Sequence, residues 1–423
     1  MTKNKQRQIE VFAHWIGLDK PTFVGLLHAA SGRGKEIFSF EYDHAWLKSS
    51  YAQALDPALQ LFPGHQYAPT SQDNFGVFLD SSPDRWGRFL MKRREAQLAR
   101  EEQRDERKLM ESDFLLGVYD AHRIGALRFR TESNGPFLDN NKELASPPLA
   151  SLRELEQASL EIEKDDAESN PNYSKWLKML IAPGGSLGGA RPKAGVIDGH
   201  KHLWIAKFPS NHDEYDIGVW EMVAYKLAKN AGILMSDARV EKFGSRYHTF
   251  LSKRFDRAST EERVHFVSAM TLLGRSDGDD ASVGASYLEL AEFIMRQGAR
   301  PDDDLEQLWR RIVFYICISN VDDHLRNHGF ILQPSGWVLS PAFDINPVAS
   351  GNGLKLNISE TDNSQDLDLV KEVAGYFRIK INRANEIIEQ VISAVTQWRK
   401  VATSIGISSG EQNKMAGAFR IVE

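Results

Sequence analysis

The sequence predicts an α+β protein of two lobes, β-rich at the amino terminus and mainly helical at the carboxy terminus. Three observations carry that expectation. Short β-rich runs separated by turn residues fill the first forty positions. A strand–turn–strand pattern, with Asp198-Gly199 between apolar runs, recurs near residue 200. Beyond about residue 260 the apolar positions recur mainly at helical spacing. A chain of 423 residues is long enough for two or three such lobes.

Residues 11–15, 22–27 and 36–40 lie between Gly- and Pro-containing turns and predict a small antiparallel sheet. Residues 89–110 are charged and rich in good helix formers, with Asp84 placed as a cap shortly before them. Residues 125–130 return to strand character, and the Gly, Pro and Asn clusters of 131–148 predict a linker. A polar stretch at 163–174 separates two further helices. Residues 195–197 and 202–208 make the predicted hairpin, 220–231 a helix and 249–255 an extended run. Leu305, Leu308, Ile312, Tyr315 and Ile316 mark one later helix face; Ile387, Ile388, Val391, Ile392, Val395 and Trp398 mark another. Residues from Ser408 onward are expected to be loose. The implied organisation is a β-rich subdomain over 1–135, a glycine-loop and strand–helix unit over 150–258, and a helical lobe over 259–423.

Composition excludes several classes. An apolar content of 42% and a charged content of 26% are those of an ordinary globular protein. A net charge of −6 gives no bulk basic field to attract nucleic acid. The cluster Arg85, Arg88, Lys92, Arg93 and Arg94 reads as a solvated helix face. The single cysteine, Cys317, lies in an apolar run, which rules out an internal disulfide and reads as a buried small hydrophobe. No zinc helix, hydrolase elbow or EF-hand loop is present, and His122, His248 and His265 read as structural. The polar first ten residues and the lack of an apolar run near 18 residues predict a cytoplasmic protein with no membrane span.

The chemistry-bearing segment is Ser319-Asn320-Val321-Asp322-Asp323-His324-Leu325-Arg326-Asn327, followed by Phe343-Asp344. Asp322 and Asn327 are five residues apart, and Asp344 follows seventeen residues later, beyond a predicted hairpin at 329–339. Phosphoryl transfer from ATP needs a carboxylate beside the attacking hydroxyl, and an amide and a second carboxylate on Mg²⁺. Asp322 is the candidate base; Asn327 and Asp344 are the candidate metal ligands, supplying hard oxygens. Each alone reads as a turn former, but the three bracketing a hairpin favour kinase chemistry. Asp323 receives no role, and His324 reads as a packed or solvated support.

Upstream, Pro183-Gly184-Gly185-Ser186-Leu187-Gly188-Gly189-Ala190-Arg191-Pro192-Lys193 puts four glycines in six positions, so that backbone N–H groups can approach phosphate. It is not a Walker A loop, because Ala190-Arg191 follows Gly189. Lys207 ends the strand that follows, on the side shared by Leu203 and Ile205. An inward-facing lysine there needs an anion, and Glu221 on the next helix is placed to pair with it, as in kinases.

At this point the chain resembles the HipA family of bacterial serine/threonine kinase toxins. The matching blocks run in order: Phe78-Leu79-Asp80-Ser81-Ser82-Pro83-Asp84-Arg85-Trp86-Gly87-Arg88, Gly117-Val118-Tyr119-Asp120 with Gly125-Ala126-Leu127-Arg128-Phe129, Ser186 to Lys193, Ile205-Ala206-Lys207-Phe208-Pro209, Arg254-Phe255-Asp256-Arg257, and Asp322 to Asn327 with Phe343-Asp344. The resemblance implies a two-lobed, protein-kinase-like fold that uses ATP and Mg²⁺. It implies that Asp322 is the catalytic base and that Asn327 and Asp344 hold Mg²⁺. Ser186, Gly188, Gly189, Lys193, Lys207, Glu221 and Phe255 fall in the segments that bind the nucleotide, and Ser186 falls where the family phosphorylates itself. Implied partners are a small helix-turn-helix, HipB-like antitoxin, DNA only through that antitoxin, and a protein substrate such as an aminoacyl-tRNA synthetase. Two other readings stand beside it: a small-molecule phosphotransferase and a non-catalytic, kinase-like binding module.

Overall fold

A computed structural model describes residues 6–32, 34–141, 147–181, 189–258 and 262–423. The chain divides into two compact units, Met1–Asn211 with Asp256–Val267, and His212–Phe255 with Ser268–Glu423. The stretch 150–258 thus contributes to both.

The first unit is built on a five-stranded antiparallel sheet in the order β4-β3-β2-β1-β5. Its strands are β1 (Gln6–Ala13), β2 (Thr22–Ser31), β3 (Glu36–Tyr42), β4 (Gln66–Tyr67) and β5 (Leu127–Arg130). Alternation sets the register, since a slip of one residue would turn the apolar set outward. Ile9 pairs with Leu27 and Leu27 with Phe40, and all three are fully buried. Gly25 is required in this row: a Cβ there would lie 2.2 Å from the Glu41 carbonyl oxygen. Short helices α1 (His44–Leu47) and α2 (Gly76–Asp80) follow, and Phe78 of α2 packs against Phe40 and Phe129 at ring distances of 5.6 and 6.0 Å.

Helix α3 (Arg85–Glu101) starts earlier and stops sooner than the expected 89–110. Asp84 caps it directly, accepting from Gly87 N at 2.8 Å. Beyond its end, Arg104 and Arg107 turn back onto the buried Glu95 at 2.6 and 3.2 Å, which draws the chain out of the helical path. Hydrogen bonds from Arg104, followed by those from Arg107, outweigh burial and hold the Glu95 carboxyl at about 2. The basic cluster is only partly solvated, because Arg88 forks onto Glu111 at 2.6 Å. After α4 (Glu111–Leu116), the fully buried Arg123 donates to the carbonyls of Ser81, Leu115, Val118 and Leu138. Helices α5 (Leu152–Ile162) and α6 (Tyr173–Ile181) flank the predicted polar stretch, and β6 (Lys193–Ile197) and β7 (Leu203–Lys207) form the predicted hairpin.

The second unit holds α7 (Ile217–Asn230), the hairpin β8 (Ala238–Glu241) and β9 (Thr249–Lys253), and helices α8 (Ala269–Leu272) and α9 (Tyr287–Gln297); strand β10 (His265–Ser268), just before α8, belongs to the first unit as far as Val267. Helix α10 (Pro301–Ile318) follows, then the hairpin β11 (Gly329–Gln333) and β12 (Gly336–Leu339). Pro301 at the start and three aspartates in the first turn suit the α10 N-terminus. The sequence marked one apolar face of α10; in the structure every residue from Leu308 to Ile318 is buried, Arg310 and Arg311 included. Cys317 is among them, and burial pushes its thiol up to about 12. Helices α11 (Leu367–Glu372), α12 (Ile381–Val395), α13 (Trp398–Ser404) and α14 (Ser409–Met415) complete the unit. Among the described residues no helix is long and apolar enough to cross a membrane.

The end of the chain corrects the expectation of a loose tail. Ser408 caps α14, Phe419 is fully buried, and its ring stacks on Trp398 at 4.3 Å with the planes 8° apart. Trp220 of α7 donates its indole N–H to Glu411 at 3.0 Å. One aromatic residue anchors a segment whose other residues are mostly small or polar, so periodicity gave no signal. Replacing Phe419 with Ala should lower the unfolding free energy by about 3–5 kcal/mol. Urea denaturation followed by tryptophan fluorescence measures it, and a loss under about 1 kcal/mol, the range of surface positions, would contradict the docked tail.

Candidate active site

The site grows from the carboxy end of α10. Ser319 ends that helix in the left-handed region (φ 50°), and its hydroxyl accepts from Arg420 at 2.8 Å. The turn frees the chain for the 320–327 loop, in which Asn327 N donates to the His324 carbonyl at 2.8 Å. Asn327 is buried and its Nδ2 donates to the Asp322 carbonyl at 3.1 Å, so the amide and the candidate base share one rigid loop. The Asp322 side chain itself is exposed.

Asp344 reaches the same neighbourhood through α10. Buried Arg311 donates to the Ser340 carbonyl at 2.6 Å, and buried Asp304 accepts from Leu339 N at 3.0 Å. The end of β12 is therefore pinned along the helix that launches the 320–327 loop. Asn346 N then donates to Asn320 Oδ1 at 3.2 Å, and Val348 N to the Ser319 carbonyl at 3.2 Å. These bonds tie the 344–348 segment to the residues just before Asp322. Asp344 is half-buried and held at φ 57°, which costs a non-glycine residue about 1–2 kcal/mol. Strain of this kind clusters at functional sites.

The donor set fits a hard cation. Asn327 spends its Nδ2 on the loop and keeps Oδ1 as an acceptor, and Asp344 supplies a carboxylate. Two residues on, Asn346 Oδ1 is a buried acceptor without a hydrogen bond among the described residues. Mg²⁺ takes oxygen ligands of this type and keeps several waters.

Sequence reasoning left Asp323 without a role and passed over its partners. Asp323 is 1% exposed and accepts from the Tyr287 hydroxyl at 2.8 Å and from His328 Nε2 at 2.6 Å. Tyr287 opens α9 and stands edge-on to the His328 ring at 5.8 Å. Burial, with the Asp323 charge second, pushes the Tyr287 phenol well above its ordinary value, so it remains a donor. The carbonyl of His328 accepts from Ala269 N at 2.8 Å. Three elements thus close on one carboxylate. The local signal was no more than a second acidic residue beside the first.

The other sequence candidates lie as follows. Lys207 ends β7 and is half-buried, whereas the neighbouring Ala206 is fully buried; the fully inward lysine expected from alternation is not observed. Lys193 lies opposite Lys207 in the hairpin register. It is almost fully buried, with its ammonium 3.0 Å from Asp84 and donating to the Gly189 carbonyl at 3.1 Å. Gly189 has φ 92°, a conformation that favours glycine. Ser186 and Gly188 lie outside the described residues. Glu221 is buried on α7 in the second unit, whereas Lys207 belongs to the first. Phe255 packs on Phe343 at 5.6 Å, next to Asp344.

Comparison with known proteins points one way. Residues 185–399, just over half of the chain, match the family model of the HipA-like C-terminal domain. A Haemophilus influenzae protein provisionally named a kinase is 25% identical over 203 residues, 43% of this chain and 59% of its own length. The serine/threonine-protein kinase toxin HipA of Shewanella oneidensis is 26% identical over 189 residues, 38% of this chain and 42% of its own. The chain spans about half the length of the curated relatives it matches. A chain in the solved complex of Shewanella oneidensis HipA, HipB and operator DNA aligns with a TM-score of 0.68 at 18% identity, covering 98% of this chain and 95% of that one. This likeness shows the fold: two-lobed, protein-kinase-like α+β, as the sequence predicts.

Adjacent aspartates in one loop give a paired test of this geometry. Asp323→Ala strands a buried phenol and imidazole and should cost about 3–5 kcal/mol of stability. Asp322→Ala, at an exposed position, should stay within about 0.5 kcal/mol. Equal losses in chemical denaturation would contradict the division of labour between them.

Proposed function

This chain belongs to the HipA family, and on that premise we propose that it is an ATP- and Mg²⁺-dependent serine/threonine protein kinase, the toxin of a bacterial toxin–antitoxin module. The observation that carries the reading is the pinned loop: an exposed Asp322 carboxylate on the same loop as the buried Asn327, tied through Asn320 to the Asp344 segment.

In this mechanism Asp322 orients the hydroxyl of a substrate serine or threonine and accepts its proton as the oxygen attacks. Its exposure suits a hydroxyl delivered on the surface of another protein. Asn327 and Asp344, with Asn346 beside them, would hold Mg²⁺, which when bound offsets the charge developing on the transferred phosphoryl group. Their preset positions remove the cost of gathering ligands at the moment of reaction. Lys207 is proposed as the phosphate contact. Lys193, already held by Asp84, is proposed to fix the end of the glycine-rich segment through the Gly189 carbonyl. On the resemblance, Gly188, Glu221 and Phe255 are proposed to serve the nucleotide, and Ser186 to be the site of autophosphorylation. A HipB-like antitoxin is the proposed partner, with DNA contacted through it, and an aminoacyl-tRNA synthetase is a candidate substrate.

Incubation with ATP labelled at the γ-phosphate tests the reading. Wild-type protein should label itself, with the phosphate on Ser186 by mass spectrometry. Asp322→Asn should reduce the rate by about 100-fold or more, the contribution of a positioned general base. Labelling of the variant at the wild-type rate would refute the assignment of the base.

A further inference from the structure

The outer face of the five-stranded sheet carries a second cluster of chemistry-bearing side chains that phosphoryl transfer does not use. In the β2–β3 register His28 lies opposite Ser39, and Leu26 opposite Glu41. His28 and Glu41 therefore share one face as diagonal neighbours. In the β3–β4 register Phe40 lies opposite Gln66, which sets His65, one residue earlier on the antiparallel edge, beside Glu41. The intervening residues Leu27, Phe38 and Phe40 fill the core on the other face.

The side chains converge as the register dictates. His65 Nε2 lies 3.5 Å from Glu41 Oε2, and the two imidazole rings are 5.1 Å apart. One ligand atom from each of His28, Glu41 and His65 lies within 4.8 Å of the other two. His28 Nε2 is buried and makes no hydrogen bond among the described residues. A buried ring nitrogen beside a second imidazole and a carboxylate suits a cation bound by all three.

We propose that His28, Glu41 and His65 bind a divalent transition-metal ion, Zn²⁺, with the fourth position open to water. Two imidazoles and one carboxylate form the borderline donor set that zinc prefers, whereas magnesium selects oxygen alone. Zinc at about 2.0–2.1 Å from each ligand needs donor atoms roughly 3.3 Å apart, and rotation of the exposed His65 side chain supplies the closure. Bound there, the ion joins β2, β3 and the residue that leads into β4 at the open edge of the sheet. The edge strand β4 has only two residues to hold it, so zinc acts as a staple.

The test uses the full chain without a histidine tag, titrated with Zn²⁺ against a chromogenic chelator. One ion per chain should bind at micromolar or lower concentration, and an excess of Mg²⁺ should not displace it. His28→Asn and His65→Asn should each weaken binding by about tenfold or more. Because His65 is exposed, His65→Asn should melt like wild type without metal yet lose the zinc-induced rise in melting temperature. Absence of binding at micromolar zinc, or binding that survives both substitutions, would overturn the site.

Discussion

One buried carboxylate organises the candidate active site. Asp323 sits in the interior with a phenol and an imidazole as donors, and each donor comes from a different element. A charge in that position is tolerable only when its hydrogen bonds are complete. The α9 start, the loop after α10 and the residue just before the β11–β12 hairpin must therefore meet in one arrangement. Asp322, the preceding residue, is turned to solvent while its backbone is fixed from behind. An exposed reactive group on a rigid base is what preorganised catalysis demands.

The second constraint is helix α10, which serves as a ruler for both halves of the site. Its carboxy end carries the Asp322 loop, and Arg311 and Asp304 along its length hold the chain that leads to Asp344. Left-handed residues at Ser319 and Asp344 store strain at both bends. The end of the chain helps to hold the first bend: Arg420 reaches Ser319, Gln365 and the Gly351 carbonyl. A tail that reads as loose thus supports the candidate active loop, which links the aromatic stacking of Phe419 to function through stability.

Much of this was legible in the sequence, for identifiable reasons. The first sheet announces itself because the β-rich runs 11–15, 22–27 and 36–40 are separated by turn residues, a local signal. The Asp322, Asn327 and Asp344 set stands out because the chemistry proposed for it would fix both residue type and order. Long-range partners were not legible. Tyr287 lies 36 residues from Asp323, and Asp84 lies 109 residues from Lys193, and neither spacing marks a pair. Lys193, which the resemblance places in the glycine-rich segment, is engaged by Asp84, a partner that no local pattern signals. The His28, Glu41 and His65 cluster depends on strand register, which periodicity alone leaves open.

The central claim is that this chain holds ATP through a metal bound by Asn327 and Asp344. Calorimetric titration of ATP into the protein, with Mg²⁺ and then with the metal chelated, tests it most directly. The account predicts binding that weakens sharply when Mg²⁺ is removed, and an Asp344→Asn variant whose ATP affinity no longer responds to Mg²⁺. Equal ATP affinity with and without Mg²⁺ in the wild-type protein, or no ATP binding at all, would contradict it.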